Sequence, residues 1–159
     1  MSSLTIFTDA AIRSIDPAAC RNMIEKTLFS ITTERLFNKN SNEGMELNLV
    51  SSFSRSLDGL KYQFSLKNDI VCFSTPQRYL RSDDIIDFLL NRLLQLGLHV
   101  LLEPYIDLKI SSSRKESGFR RLSQMRFEMI LKKPLPLFSD IFSAVNFGVF
   151  FETSTYSFA

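Results

Sequence analysis

Few residues of this chain could carry out covalent chemistry. The single histidine, His99, lies between Leu98 and Val100 in an apolar run, and the two cysteines, Cys20 and Cys72, fall in different predicted elements. Nucleophilic catalysis needs a nucleophile, a base and an orienting group within hydrogen-bond reach. A structural zinc site needs four nitrogen or sulfur ligands. Neither arrangement can be assembled here, so we predict that the protein is not an enzyme and holds no zinc.

A second candidate site is acidic. Asp83, Asp84 and Asp87 are close in sequence on a predicted helix, where carboxylates one turn apart can converge on a hard cation such as Mg²⁺. Asp83 and Asp84 also fall in the first turn of that helix, where capping and the helix dipole favour carboxylates. We therefore interpret them as residues that begin the helix, and predict no metal and no cofactor.

The most informative chemical feature is a local excess of positive charge. Residues 109–133 contain eight Lys and Arg against two Glu, whereas the rest of the chain has 11 Lys and Arg against 15 Asp and Glu. Grouped cations attract the phosphates of nucleic acid or of lipid head groups. A solvated strand with a loop is the alternative, because adjacent residues of a strand point to opposite faces. The candidate anion-, RNA- or lipid-binding residues are Lys109, Arg114, Lys115, Arg120, Arg121, Arg126, Lys132 and Lys133.

The first element that could position these residues is a helix near the N-terminus. Asp16 can cap it and Pro17 is tolerated in a first turn, so we predict a helix that begins there and ends near Phe37. Its apolar face consists of residues at helical spacing, namely Cys20, Met23, Ile24, Leu28 and Ile31. The polar residues 38–44 follow, and we interpret them as a linker.

Alternating patterns predict the strands that come next. Residues 45–49 and 60–66 alternate apolar and polar side chains, and Asp58 and Gly59 between them are a hairpin signal, so we predict an antiparallel pair. A short strand follows at residues 70–73. The helix predicted over residues 83–96 carries its polar residues in one narrow stripe, and Gly97 can end it in the left-handed conformation.

The second half of the chain predicts further strands and one more helix. Residues 98–102 and 106–110 are predicted to be extended with a break at Pro104, and residues 119–131 to form one strand. A short helix over 137–146 and a closing strand over 147–158 complete the pattern. The predicted fold is α+β: a single domain (1–159) with an N-terminal helical segment and linker (1–44) and a core (45–159). That core is a mixed, mainly antiparallel sheet of five or six strands covered by two or three helices.

The compartment is predicted from the N-terminus, the cysteines and the apolar segments. Met1 to Asp9 has no basic start followed by an apolar run, so we expect no signal peptide. The two cysteines are interpreted as thiols of a reducing compartment. The longest apolar window, residues 85–102, contains charged side chains that are costly inside a bilayer. We therefore predict an intracellular protein with no transmembrane span.

The order of the elements resembles a known family. A strand that ends in Phe64-Ser65-Leu66-Lys67 is followed by a loop and by a helix that opens with Arg81-Ser82-Asp83-Asp84-Ile85-Ile86. An extended stretch over 98–110 and a strand over 125–131 then precede a short helix. This order, over residues 59–147, resembles the matrix proteins of rhabdoviruses, particularly the short ones of plant-infecting members.

The resemblance implies a protein that self-associates, condenses the viral nucleocapsid and binds the inner face of the membrane. In that family basic residues contact the anionic partners, and the resemblance implies this role for Arg114, Lys115, Arg120 and Arg121. We accordingly predict a non-enzymatic, matrix-like assembly protein, in host cytoplasm or virion. Its predicted partners are itself and ribonucleoprotein, RNA or anionic lipid, with no small-molecule substrate. The alternative is a regulatory nucleic-acid-binding protein, such as a suppressor of RNA silencing, that uses the same cations without forming lattices.

Overall fold

The computed structural model describes residues 16–39, 45–72, 78–108, 118–144 and 147–148, with residues 71, 72 and 78 described by their backbone alone. The α-helices within these ranges are α1 (Met23–Thr32), α2 (Ser82–Gln95), α3 (Leu98–Leu102) and α4 (Phe138–Phe142). The strands are β1 (Phe37–Lys39), β2 (Met45–Leu47), β3 (Val50–Arg55), β4 (Lys61–Leu66), β5 (Val71–Cys72), β6 (Arg78–Tyr79), β7 (Phe119–Ser123) and β8 (Arg126–Ile130).

The described strands pair antiparallel throughout. Four of them form the main sheet in the order β3-β4-β8-β7, and the other four form two ribbons, β1-β2 and β5-β6. The predicted α+β class is therefore confirmed. The segment interpreted as a linker includes Asn38 and Lys39, which pair with β2, whereas residues 40–44 lie outside the described residues. The division at residue 44 stays a prediction.

The hairpin predicted at Asp58 and Gly59 is confirmed. Gly59 has a φ of +68°, and the Asp58 carboxylate accepts from the Leu60 amide at 2.9 Å. The partner of β4 is β3, at residues 50–55, rather than the predicted 45–49, because residues 45–47 pair with β1 instead. The alternation of β4 is as predicted, with Tyr62, Phe64 and Leu66 buried.

The first helix is shorter than predicted. Asp16 caps only the 3₁₀ turn Pro17–Ala19, and α1 begins afresh after Asn22, which forms a capping box with Glu25. It ends at Thr32, and Phe37 lies in a strand. The predicted apolar face is wrong in part, since Met23 is 72% and Ile31 60% exposed while Leu28 and Phe29 are buried. Because α1 has apolar residues on more than one side, the spacing of three and four between apolar residues does not tell which side is buried.

The helix α2 confirms the strongest element prediction. It runs from Ser82 to Gln95, and Gly97 follows with a φ of +68°. The residues predicted to be extended at 98–102 form α3 instead, so that prediction is wrong. Gly97 turns the chain and leaves the following Leu-rich run free to form a further helical turn, which ends next to Pro104 because proline cannot continue a helix.

The strand predicted over 119–131 is also wrong, because it is a hairpin. Arg121 pairs with Phe127 and Ser123 pairs with Arg126, so Gln124 and Met125 form the turn between β7 and β8. The turn contains none of the Gly, Asn or Asp residues that normally mark a hairpin, and the sequence therefore gave no sign of it. Its backbone is held from outside, since the Gln124 and Met125 carbonyls accept from the Ser82 and Leu66 amides at 2.8 Å.

The core lies between the main sheet, α2 and α4, and aromatic rings fill much of it. Phe138 of α4 stacks on Tyr62 of β4 with ring centroids 4.0 Å apart, and Phe64 stacks on Phe127 of the adjacent strand at 4.7 Å. The helix α4 is shorter than the predicted 137–146. Of the closing strand predicted at 147–158, only Phe147, which is buried, and Gly148 are described.

Candidate functional site

Five of the eight predicted anion-binding residues are described, and four of them contact other groups of the chain. Lys109, Arg114 and Lys115 lie outside the described residues. Arg120 and Arg121 form ion pairs, with Glu128 across β7 and β8 at 3.5 Å and with Asp83 at the start of α2 at 2.8 Å. Both carboxylates are therefore used by the cations that were predicted to bind an external anion.

The two lysines of the predicted site lie near Tyr105. Lys132 Nζ donates to the Glu103 carbonyl at 3.1 Å, and Lys133 Nζ lies 4.4 Å from the centroid of the Tyr105 ring, a cation–π distance. Arg126 is exposed on β8, and no ion pair joins it to another described residue. The cations are thus spread over β7, β8 and the segment after β8. Binding of anions by these residues stays a prediction.

Two residues of the acidic cluster, Asp83 and Asp84, also contact groups of the chain itself. Asp83 pairs with Arg121, and Asp84 Oδ2 accepts from the amide of Arg81, the residue before the helix, at 2.9 Å. Within the described ranges, no group of three His, Cys, Asp or Glu side chains is placed to hold a metal ion. The first-turn carboxylates therefore stabilise the start of α2, as interpreted from the sequence.

Two hydrogen bonds dock the β7-β8 turn on the start of α2. Ser82 is fully buried, and its Oγ donates to the Ser123 carbonyl at 2.6 Å while its amide donates to the Gln124 carbonyl. The Arg121–Asp83 pair lies beside them. Helix and hairpin are thereby fixed to each other by contacts that sequence patterns do not reveal.

We predict that Ser82→Ala destabilises the protein by about 1 kcal/mol, because it removes the hydrogen bond that the hydroxyl of the fully buried Ser82 donates to the Ser123 carbonyl. Urea unfolding followed by circular dichroism measures the change. Ser30→Ala is the control: Ser30 Oγ also donates to a backbone carbonyl, but on an exposed face of α1, and we expect a change within about 0.5 kcal/mol. Equal effects of the two substitutions would contradict the prediction.

An ion pair that the sequence did not indicate joins α2 to the segment before α1. Arg92, predicted at the edge of the polar stripe, is only 8% exposed, and its Nη1 donates to Asp16 and to Gln95. Its guanidinium also lies over the Phe88 ring at 5.0 Å. Burial raises the pKa of Asp16, but the hydrogen bonds from Arg92 and from the Ala18 amide and the charge of Arg92 outweigh it and lower that pKa below its ordinary value.

The lowered pKa of Asp16 predicts a pH-dependent contribution to stability. Because the folded-state pKa lies below the unfolded value of about 3.9, Asp16 stabilises the fold above that pH, and the contribution is lost as the pH falls through the folded-state pKa. We expect the difference in unfolding free energy between the natural chain and Asp16→Asn to be larger at neutral pH than in acid. Urea unfolding at a series of pH values measures it. In an Arg92→Met background the pH dependence of that difference should shrink, and an unchanged dependence would contradict the prediction.

One apolar crevice lies beside the core. It is lined by side chains of Leu36, Leu49, α2, α4 and Phe147, and it is too narrow to admit a water molecule. The lining residues are Leu36, Leu49, Ile85, Phe88, Leu89, Phe142 and Phe147. The crevice therefore offers no room for a ligand.

The only histidine of the chain, His99, does not line this crevice. Its Nδ1 is buried and has no hydrogen-bond partner among the described residues.

Comparison with known proteins gives a likeness at the level of the fold. No protein-family model and no curated protein matches the chain. Solved structures do match it. They include a periplasmic oligopeptide-binding protein of Borrelia burgdorferi (TM-score 0.66, 19% identity, 85% of this chain and 28% of that one). They also include peptide-bound OppA of Listeria monocytogenes (0.66, 16%, 89% and 29%) and the murein tripeptide binding protein MppA of Escherichia coli (0.64, 18%, 85% and 28%). The chain thus spans less than a third of the length of these proteins.

These findings correct the functional prediction. The interpretation as a matrix-like, virion-associated assembly protein is wrong, and so is the nucleic-acid-binding alternative, because the fold is shared with part of solute-binding proteins. The predicted set of partners, namely self, nucleocapsid, RNA and anionic lipid with no small-molecule ligand, is wrong in excluding a small-molecule ligand, because matched structures contain peptides. The resemblance to matrix proteins stays a prediction. Among the described residues, no helix has both the length and the apolar character needed to cross a membrane.

Proposed function

We propose that this chain is part of a solute-binding protein and that it acts by binding a small solute, such as a peptide, without changing it chemically. The observation that carries the proposal is the likeness of its fold to binding proteins with different solutes. Two of the matching structures contain agropinic acid and the peptide STSA, with TM-scores of 0.66 and 0.63 over 86% and 85% of this chain.

The geometry supports a scaffold role within such a protein. The crevice beside the core has no room for a ligand, and four of the five described cations of the predicted anion site contact groups of the chain itself. Binding sites for small molecules are often formed between domains. We therefore place the solute between this chain and the rest of a larger fold, since the matched part is only 28% and 29% of the length of two matched proteins.

The test uses the polypeptide that carries this chain in its source, purified without denaturation. Native mass spectrometry is expected to show added masses of a few hundred daltons that fragment as peptides or other small solutes, and a pool of short peptides is expected to raise the melting temperature, because a ligand that binds only the folded state stabilises it. A polypeptide with no bound solute, and with no change in melting temperature on addition of the pool, would overturn the proposal.

The proposal also implies a location outside the cytoplasm, because two of the matched structures are of periplasmic binding proteins. This differs from the intracellular location predicted from the sequence. Cell fractionation followed by immunoblotting distinguishes the two, and we expect the protein in the periplasmic or extracellular fraction.

A further inference from the structure

Arg35 is a half-buried cation in the segment between the end of α1 and the start of β1. The next two residues, Leu36 and Phe37, belong to the core. Burial lowers the pKa of the Arg35 guanidinium, and the charge of Glu34 opposes that shift. Moving a charge out of water is costly unless a group of opposite charge lies close to it. Arg35 is therefore placed where a negatively charged partner would stabilise it.

The described part of the fold does not provide that partner. Among the residues that the structure describes, none forms an ion pair with Arg35, and Glu34 acts on it without forming one. Arg92 is the informative comparison, because its guanidinium is also taken out of water but is paired with Asp16. The chain thus neutralises one buried arginine and leaves the other without a carboxylate.

Most of the hydrogen-bonding capacity of Arg35 is unused as well. A guanidinium has five N–H donors. Arg35 Nη1 donates to the Ser143 carbonyl at 3.2 Å, and its buried Nε donates to no acceptor. The Ser143 carbonyl lies at the end of α4, where a cation is favourable. This contact with α4 explains one donor of Arg35 and leaves the others to a partner outside the described residues.

The position of Arg35 is fixed at both ends of its side chain. Its carbonyl accepts from the Leu49 amide at 3.0 Å, and the Leu36 carbonyl accepts from the Asn48 amide at 3.2 Å, so the backbone is held on both sides of the Cα atom. The guanidinium is held by the Ser143 carbonyl. A donor that is already oriented loses little conformational entropy when it binds a ligand.

We propose that Arg35 binds a carboxylate group of the solute. The inference rests on the proposed function, because a peptide ends in a carboxylate, and it names the group by which the solute is recognised. A carboxylate supplies both the charge and the acceptors that the described residues do not give to this guanidinium. A phosphate fits less well, because its second negative charge would lie near the Ser143 carbonyl oxygen.

The test follows arginine Nε–H signals by NMR in the full 159-residue chain while tri-alanine is added. The Arg35→Lys variant identifies the Arg35 signal by its loss. Two arginines serve as controls within the same spectrum. Arg92 has a buried Nε but is paired with Asp16, and Arg126 is exposed without an ion pair to another described residue. Tri-alanine amide, which lacks the carboxylate, is the control ligand, and inorganic phosphate is the competing anion.

We expect the Arg35 signal to shift in a saturable way with tri-alanine, at an affinity about tenfold or more above that for the amide, since a hydrogen bond between charged groups is lost with the carboxylate. The Arg92 signal should not move, and the Arg126 signal should move only in proportion to the added ligand. Equal effects of tri-alanine and its amide, no saturable shift at Arg35, or tighter binding of phosphate than of tri-alanine would each overturn the inference.

Failure of this inference is distinguishable from failure of the proposed function. Bound solute in the native mass spectrum, together with an Arg35 signal that tri-alanine does not move, would keep the solute-binding role and remove Arg35 from the site. A protein with no bound solute and no response to the peptide pool, together with an unmoved Arg35 signal, would remove both.

Discussion

Gly118→Ala is expected to destabilise the protein by about 3 kcal/mol, at the upper end of the cost of overpacking a core. A Cβ atom at this position would overlap Cγ1 of Ile106, which is buried, and would lie 3.0 Å from the Asp107 carbonyl oxygen. The Gly118 amide donates to that same carbonyl, and its own carbonyl accepts from Ile130 at 2.7 Å. The backbone therefore cannot move aside without loss of hydrogen bonds that hold the start of β7.

Gly97→Ala is the matched control for this prediction. Gly97 has a φ of +68°, but no atom lies within 4 Å of the position its Cβ would take. We expect a cost of about 1 kcal/mol from the left-handed conformation alone. Urea unfolding of both variants measures the difference. A Gly118→Ala variant no less stable than Gly97→Ala would show that the close approach of residue 118 to residues 106 and 107 does not constrain the fold.

The elements that were predicted correctly are those whose signals are local. Asp58 and Gly59 supply the left-handed residue that a tight hairpin needs, and the period of two in β4 places Tyr62 and Phe64 on one face. The helix α2 combines a polar stripe, acidic first-turn residues and Gly97 at its end. Each of these features is stabilised mainly by residues within a few positions of each other, so the sequence contains the whole of the signal.

The elements that were missed either depend on distant residues or have a local pattern that fits two structures. The β7-β8 turn at Gln124 and Met125 is held by amides of Ser82 and Leu66, which no local pattern reveals. The helix α3 was predicted as a strand because a short apolar run fits both structures. The two exposed apolar residues of α1 were assigned to the core because the spacing of a helix does not tell which of two apolar faces is buried.

The contacts of the predicted anion-binding residues could not be foreseen for a related reason. The sequence shows where cations are concentrated but not which carboxylates they meet. Arg121 pairs with Asp83, 38 positions away, and Arg120 pairs with Glu128 across a hairpin that was predicted as one strand. An excess of charge along a chain is therefore weaker evidence for a binding surface than an excess of charge that stays unpaired in the fold.

The functional prediction failed because an order of elements is shared by unrelated α+β proteins. A strand, a polar loop and a helix that begins with acidic residues form a stable unit for reasons of capping and packing, whatever the protein does. The likeness to solute-binding proteins compares Cα positions over at least 84% of the chain, which is a stricter comparison than an order of elements. At 14% to 19% identity it defines the fold, and the solute-binding role built on it is the proposal that the mass spectrometry tests.

Phe138→Ala is expected to destabilise the protein by about 4 kcal/mol, in the range measured when buried Phe residues are truncated. Phe138 is 5% exposed and stacks on Tyr62 at 4.0 Å, with the rings of Phe37, Phe53 and Phe142 within 6.2 Å. It is the contact through which the five-residue helix α4 packs on the sheet. A helix of that length is not stable alone, so loss of the ring is expected to release α4 as well as to leave a cavity.

Leu137→Ala distinguishes the loss of this ring from a general weakening of α4. Leu137 is adjacent in the chain but 60% exposed, so its truncation is expected to cost no more than about 0.5 kcal/mol. Urea unfolding gives the stabilities, and hydrogen exchange of the Ile141 and Ser143 amides, which donate to the Leu137 and Ser139 carbonyls, reports on α4 itself. Faster exchange in Phe138→Ala than in Leu137→Ala is expected because the stacked ring, rather than the propensity of the short helix, holds α4 in place. Equal exchange in the two variants would mean that α4 is held by contacts other than the Phe138 ring.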